Sequence, residues 1–298
     1  MSFKPSDVHP FLFGGVASCM AEAVTYPIDT AKTRLQLQGQ TIDRRYQHRL
    51  YTGLFNCWKR IVQEEGVARL YHGLSPALLR QAVYGTAKYG LYYSIKDWIP
   101  GEESNVKNVA CAIMAGGVSS AIANPTDVLK VRMQSQIALV KGSSLVEGFR
   151  DIYFKEGLKG LWRGMVPTAQ RAAVVAGVQL PVYDFAKLFF LRNGLLDNDS
   201  SNHLISSFCA GLAACLVSSP VDVIRTRFMS QRCYETKIYK SSFQCGFMTV
   251  KNEGLRALYK GFVPAFMRMG PWNIIFFLVY EQLTRSFTQP PSSLIKKT

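Results

Sequence analysis

Pro27-Ile28-Asp29-Thr30-Ala31-Lys32-Thr33-Arg34 returns as Pro125-Thr126-Asp127-Val128-Leu129-Lys130-Val131-Arg132, and again as Pro220-Val221-Asp222-Val223-Ile224-Arg225-Thr226-Arg227. A second signal keeps step with it. Glu65-Gly66 followed by Tyr71-His72-Gly73 recurs as Glu156-Gly157 with Trp162-Arg163-Gly164, then as Glu253-Gly254 with Tyr259-Lys260-Gly261. Two signals in register three times define a tandem repeat, and a repeat fixes the architecture before local propensity is consulted.

Outward from the proline motif, each repeat reads the same way: an apolar helix ending near the motif, a polar loop, a short amphipathic helix, and a second apolar helix after the aromatic-basic-Gly triplet. The expected fold is an all-α membrane protein of six helices, near residues 11–36, 74–97, 108–134, 165–190, 203–229 and 262–285. Each can span ~30 Å of hydrocarbon at about 1.5 Å per residue. The organisation expected is a tail at 1–10, repeats at 11–98, 104–192 and 200–287, and a second tail at 288–298. Ala17 and Ala21, Ala115 and Ser119, and Ala210 and Ala214 stand at matching offsets, spaced so that membrane helices can approach closely.

Composition agrees with a membrane reading. Hydrophobic residues make up 48% of the chain and charged residues only 18%, and the net charge of +15 is spread along the whole length. A nucleic-acid binder gathers its Lys and Arg into a patch or tail, so no nucleic-acid partner is expected. The seven cysteines show neither zinc spacing nor a C-x-x-C motif and read as free thiols. His9, His48, His72 and His203 are dispersed, and no nucleophile, Walker or metal motif appears, so an enzyme is not expected. Met1 to Pro10 holds no Arg and no apolar run, which places any targeting information inside the chain; the sequon at Asn198 carries little weight. Lys and Arg outnumber Asp and Glu in segments 37–75, 135–165 and 230–262, whereas connectors 98–107 and 192–202 are acidic. The positive-inside rule therefore turns the loops with short helices toward the interior compartment and both termini to the other side.

These motifs resemble the mitochondrial carrier family, whose P-x-[DE]-x-x-[KR]-x-[KR] and [DE]-G-x-x-x-x-[aromatic]-[KR]-G signatures match in all three repeats across residues 11–287, with His72 the one departure. Residues 268–283, from Arg268 to Leu283, are similar to the uncoupling-protein branch and within it to the brain and kidney carrier subgroup. The resemblance implies three-fold pseudosymmetry about a central cavity, an inner mitochondrial membrane location, termini toward the intermembrane space, a monomer, and cardiolipin as structural lipid at helix N-termini with no other cofactor. Its aromatic-x-Gly partner motif is complete only as Tyr51-Thr52-Gly53; Ser241 replaces Gly in the third repeat and the second lacks the aromatic.

Acid and base three residues apart share a helix face. With three-fold symmetry that face is the central axis, so Asp29, Asp127 and Asp222 are expected to pair with Lys130, Arg225 and Lys32 in a matrix gate. Gln36 and Gln134 match the family's bracing glutamines, whereas Met229 holds the third position. The opposite gate, [FY]-[DE]-x-x-[KR], is complete only as Tyr183-Asp184-x-x-Lys187; Lys96 lacks its acid and Glu281 its base, so the cytoplasmic gate should be weaker.

Seven residues beyond Gly73, Gly164 and Gly261 stand Arg80, Arg171 and Arg268, about 10 Å along each helix and so at one depth. An arginine there normally faces a water-filled cavity and a functional partner. Three such guanidiniums point to a small dianion or oxyanion. Ala172 argues against amino acids and adenine nucleotides by the family's pattern, while Lys88 adds charge where Gln179 and Phe276 do not. The expected function is exchange, by alternating access, of sulfate, sulfite, thiosulfate, phosphate, malonate or malate; the alternative is a proton-leak uncoupler. Glu22, which aligns with Ser120 and Cys215, is the proton-coupling candidate, expected either to pair with a cavity cation or to carry a proton.

Overall fold

The protein is described by a computed structural model over residues 5–40, 43, 46–98, 105–135, 144–194, 200–231 and 239–288. Six long helices carry the fold: α1 (Pro5–Leu37), α3 (Leu74–Trp98), α4 (Asn105–Gln134), α6 (Met165–Arg192), α7 (Ser200–Ser230) and α9 (Phe262–Thr288). Short helices α2 (Leu54–Glu64), α5 (Leu145–Leu161) and α8 (Ser242–Glu253) lie between the members of each pair. Five of the long helices begin and end within three residues of their expected positions, whereas α1 starts at Pro5, six residues before the expected start and inside the expected first tail. Residues 289–298 of the expected second tail, Cys233 and Asn198 lie outside the described residues. The other six cysteines are free.

The long helices close into a ring. Helix α1 packs against α9, α3 against α4 and α6 against α7 between repeats, while α1–α3, α4–α6 and α7–α9 meet within them. All six small residues at the matched offsets are buried on α1, α4 and α7.

Burial is inverted relative to a water-soluble domain. On α1, Leu12, Val16, Met20 and Val24, spaced one turn apart, are 50–57% exposed, whereas Glu22 is 2% and Asp29 6% exposed. Apolar side chains turned outward and carboxylates turned inward suit hydrocarbon outside and a polar interior. Among the described residues, three segments are long and apolar enough to cross a membrane by length and composition alone: Met165–Arg192, Ile205–Ser230 and Leu255–Ser286. Helices α1, α3 and α4 match them in length but fall below that mark, because Glu22, Asp29, Lys32, Arg80, Lys88, Asp127 and Lys130 lie along them.

Each repeat locks its proline turn to its own triplet. Proline has no N–H, so the carbonyl four residues earlier loses its helical donor. In the second repeat that carbonyl is Ala121, and Trp162 Nε1 donates to it at 3.0 Å. The residue before each proline then ties down the triplet segment: Tyr26 Oη donates to His72 O at 3.3 Å, Asn124 Nδ2 to Leu161 O at 3.1 Å, and Ser219 Oγ to Leu258 O at 3.5 Å. Gly164 and Gly261 follow with φ of 86° and 91°, and a Cβ there would sit 2.6 Å from Met229 Cγ and 2.7 Å from Gln36 Cγ. Only glycine meets both demands.

Candidate functional site

At the inner end of the ring, where the short helices lie, α1, α4 and α7 bring their acid–base motifs to the axis. Lys130 Nζ lies 2.6 Å from Asp29 Oδ2, Arg225 Nη2 2.6 Å from Asp127 Oδ2, and Lys32 Nζ 2.8 Å from Asp222 Oδ2. Every pair joins the acid of one repeat to the base of the next, in the arrangement expected from three-fold register. Gln36 and Gln134 brace seams rather than single pairs: Thr226 Oγ1 donates to Gln36 Oε1 and Thr33 Oγ1 to Gln134 Oε1, each at 2.8 Å. At the third seam the equivalents of Thr and Gln are Val131 and Met229, and both belong to one apolar cluster. The substitution of Met for Gln is thus matched by Val for Thr.

A layer beyond the ring was not anticipated from the sequence. The last base of each proline motif makes a bidentate pair with the Glu of the Glu-Gly signal in its own repeat: Arg34 with Glu65, Arg132 with Glu156 at 2.6 and 2.9 Å, and Arg227 with Glu253 at 2.6 and 2.9 Å. The same guanidinium reaches the following repeat, where Arg34 Nε donates to Gln134 O at 3.3 Å, Arg132 Nε to Met229 O at 3.2 Å and Arg227 Nε to Gln36 O at 3.2 Å. The signal was present, since both residues recur three times in step.

Beside these pairs, the ring encloses about 250 Å³ lined by Arg80, Arg171, Arg268, Glu22 and the paired residues, with a second lobe of about 270 Å³ toward Gln179, Trp272 and Asn273. The three arginines line the same cavity, and none of them is free. Each is held by the carboxylate of a proline motif: Arg80 by Asp127, Arg171 Nε by Asp222 Oδ1 at 2.5 Å, and Arg268 by Asp29. Every Asp therefore receives its motif base from the following repeat and its arginine from the preceding one. Glu22 meets two cations, Lys130 at 2.8 Å and Arg268 at 2.5 Å. Tyr84 lies between Arg80 and Lys88, with Arg80 Cζ 5.5 Å and Lys88 Nζ 6.0 Å from its ring centroid. Trp272, whose buried indole N–H has no partner among the described residues, was not singled out from the sequence.

The outer end differs. Among the described residues Asp184, Lys187 and Glu281 form no ion pair with one another, and Glu281 pairs instead with Arg285 on its own helix at 2.5 Å. Tyr183 Oη contacts His203 Nδ1 at 2.5 Å.

At the loop ends, Ser241 Oγ accepts from Gln244 N at 3.2 Å and so caps α8 itself, while Gly53 at the start of α2 supplies no side-chain cap. Burial pushes the thiols of Cys57 and Cys245 up to about 12, which leaves both unreactive. Half-burial, with Arg69 and Arg34 nearby, lowers the His72 imidazole below its usual value.

The family described as mitochondrial carrier protein matches three successive stretches, residues 4–103, 101–194 and 197–291. Kidney mitochondrial carrier protein 1 of Xenopus laevis is 51% identical over 93% of this chain and 97% of its own length. The mitochondrial substrate carrier family protein ucpB of Dictyostelium discoideum is 40% identical over 92% and 94%. The putative mitochondrial transporter UCP3 of Canis lupus familiaris is 38% identical over 96% of each chain.

Proposed function

Because the chain belongs to the mitochondrial carrier family, whose members are multi-pass transporters of the inner membrane and not enzymes, we propose that it exchanges small anions by alternating access. The substrates proposed are sulfate, sulfite, thiosulfate, phosphate and short dicarboxylates such as malonate and malate. The observation that carries this reading is the shared carboxylate: each gate Asp holds one inter-repeat base and one cavity arginine. An anion drawn in by the arginines can also meet the gate bases, so a gate pair can part with its base facing the anion and its Asp facing the cavity arginine, and no buried ion is left alone. Substrate binding and gate opening are then one event. The gate residues are Asp29, Lys32, Asp127, Lys130, Asp222 and Arg225, and the outer gate draws on Lys96, Asp184, Lys187 and Glu281. The chain acts as a monomer with both termini toward the intermembrane space, and cardiolipin phosphates sit at helix N-termini.

A second reading, proton leak, draws support from Glu22, a carboxylate buried at the centre of α1 and bonded to two cations. Liposomes holding the purified carrier, loaded with labelled sulfate or malonate and a pH dye, test both. Exchange of label without acidification supports anion antiport. Acidification without label movement supports the leak and overturns the exchange reading.

A further inference from the structure

The three corners of the gate are not equivalent in charge. Asp127 meets Arg80 and Arg225, and Asp222 meets Lys32 and Arg171, so each of these corners holds two cations and one carboxylate. At the third corner Lys130 and Arg268 are shared by two carboxylates, Asp29 and Glu22, which close with them into a neutral square. The residues that stand where Glu22 does in the other repeats are Ser120 and Cys215. Cys215 lines the lobe that also holds Lys32, Arg171 and Asp222, so that corner has room for a side chain there but no acid. Together the corners carry six cations and four carboxylates, and both uncompensated positive charges lie at the Arg80 and Arg171 corners.

We propose that Glu22 is a specificity residue: by neutralising the Arg268 corner it fixes the free charge of the three corners at two and confines it between α3 and α6, so the site selects doubly charged anions. Arg268 becomes a positioning residue that holds Glu22 and Asp29 in place. Arg80 and Arg171 become the residues that touch substrate, and Lys88, on the Arg80 helix, draws anions toward the same side. The inference rests on the cavity being the anion site. It differs from the proton-coupling role of Glu22 in what it requires, since the carboxylate here acts by remaining ionised.

The test is ligand-induced thermal stabilisation of the full chain, purified in detergent at fixed ionic strength and pH 7.5. The probes are acetate, malonate and tricarballylate, carrying one, two and three negative charges. Glu22→Gln raises the free charge to three, and the affinity for tricarballylate relative to malonate should rise about tenfold, as one unit charge at roughly 10 Å and an effective dielectric constant of about 20 gives. Cys215→Glu closes a second neutral square, and malonate should lose about tenfold relative to acetate by the same arithmetic. Each ratio is taken within one protein, so a general loss of stability does not mimic the shift. An unchanged ratio in whichever variant folds, with malonate still bound by the unaltered chain, overturns the role of Glu22. Failure of the unaltered chain to bind any of the three overturns the anion site itself, and this inference with it.

Discussion

A guanidinium already bonded to a carboxylate can accept a second anion only if that carboxylate has another cation to turn to, and Asp127 and Asp222 each have one. Arg80→Ala and Arg171→Ala should therefore lower labelled-anion exchange by about ten- to hundredfold, the worth of one charge-assisted hydrogen bond, while the carrier still inserts. Lysine at either position should restore only part, because it lacks the planar fork; full exchange by both Ala variants, measured in liposomes, would place the substrate elsewhere. His72 gives a pH test. Its folded pKa is lowered, so protonation favours the unfolded chain: stability is complete above the ordinary histidine value of about 6.5 and falls as pH drops below it. Melting of the purified carrier should show that acid-side loss, and His72→Gln should remove it. The inter-repeat ion pairs were legible because charges three residues apart, repeated three times, can meet only at the axis. That the arginines would be held by those same acids was not, since register gives the depth of a side chain but not how far it reaches across the cavity.

Between elements, the bidentate pairs beneath the gate differ in burial, and that difference orders their cost when broken. Arg132 and Glu156 are 2% and 1% exposed, whereas Glu65 opposite Arg34 is 27% exposed. Glu156→Ala leaves a buried guanidinium without its carboxylate and should destabilise the carrier by about 3–5 kcal/mol. Glu65→Ala also strands a buried guanidinium, since Arg34 is 1% exposed, but water reaches the vacated position, so the loss should be smaller, about 2 kcal/mol. Thermal unfolding in detergent ranks the two, and equal losses would mean burial does not govern this layer. The helices themselves were readable from the proline and glycine signals flanking them. The seams were harder to read: a Thr in one repeat bonds a Gln in another, a contact that no local period encodes. Aligning the three copies would have exposed it, because Val131 and Met229 depart together from Thr and Gln.

At the scale of the whole chain, three inter-repeat pairs join the repeats at the inner end, while among the described residues Asp184, Lys187 and Glu281 make none among themselves at the outer end. Cysteine probes near Arg80 should accordingly be labelled at least about tenfold faster from the intermembrane side, an imbalance of roughly 1.4 kcal/mol between the two states; faster labelling from the matrix would contradict the closed ring. The overall plan was legible because a three-fold repeat with basic loops on one side leaves little freedom, but three of the six spans would have been missed by hydropathy alone, their polar faces being the cavity wall. The guanidinium layer has one more consequence. Its bonds run from the first repeat to the second, the second to the third and the third back to the first, so the ring has a direction but neither a first nor a last member. Helix α1 already lies against α9, and a polypeptide whose original ends were linked and which was reopened at residue 104 would retain every one of these latches. Such a circular permutant should assemble and transport, whereas any two repeats expressed without the third would leave a latch with nothing to fasten.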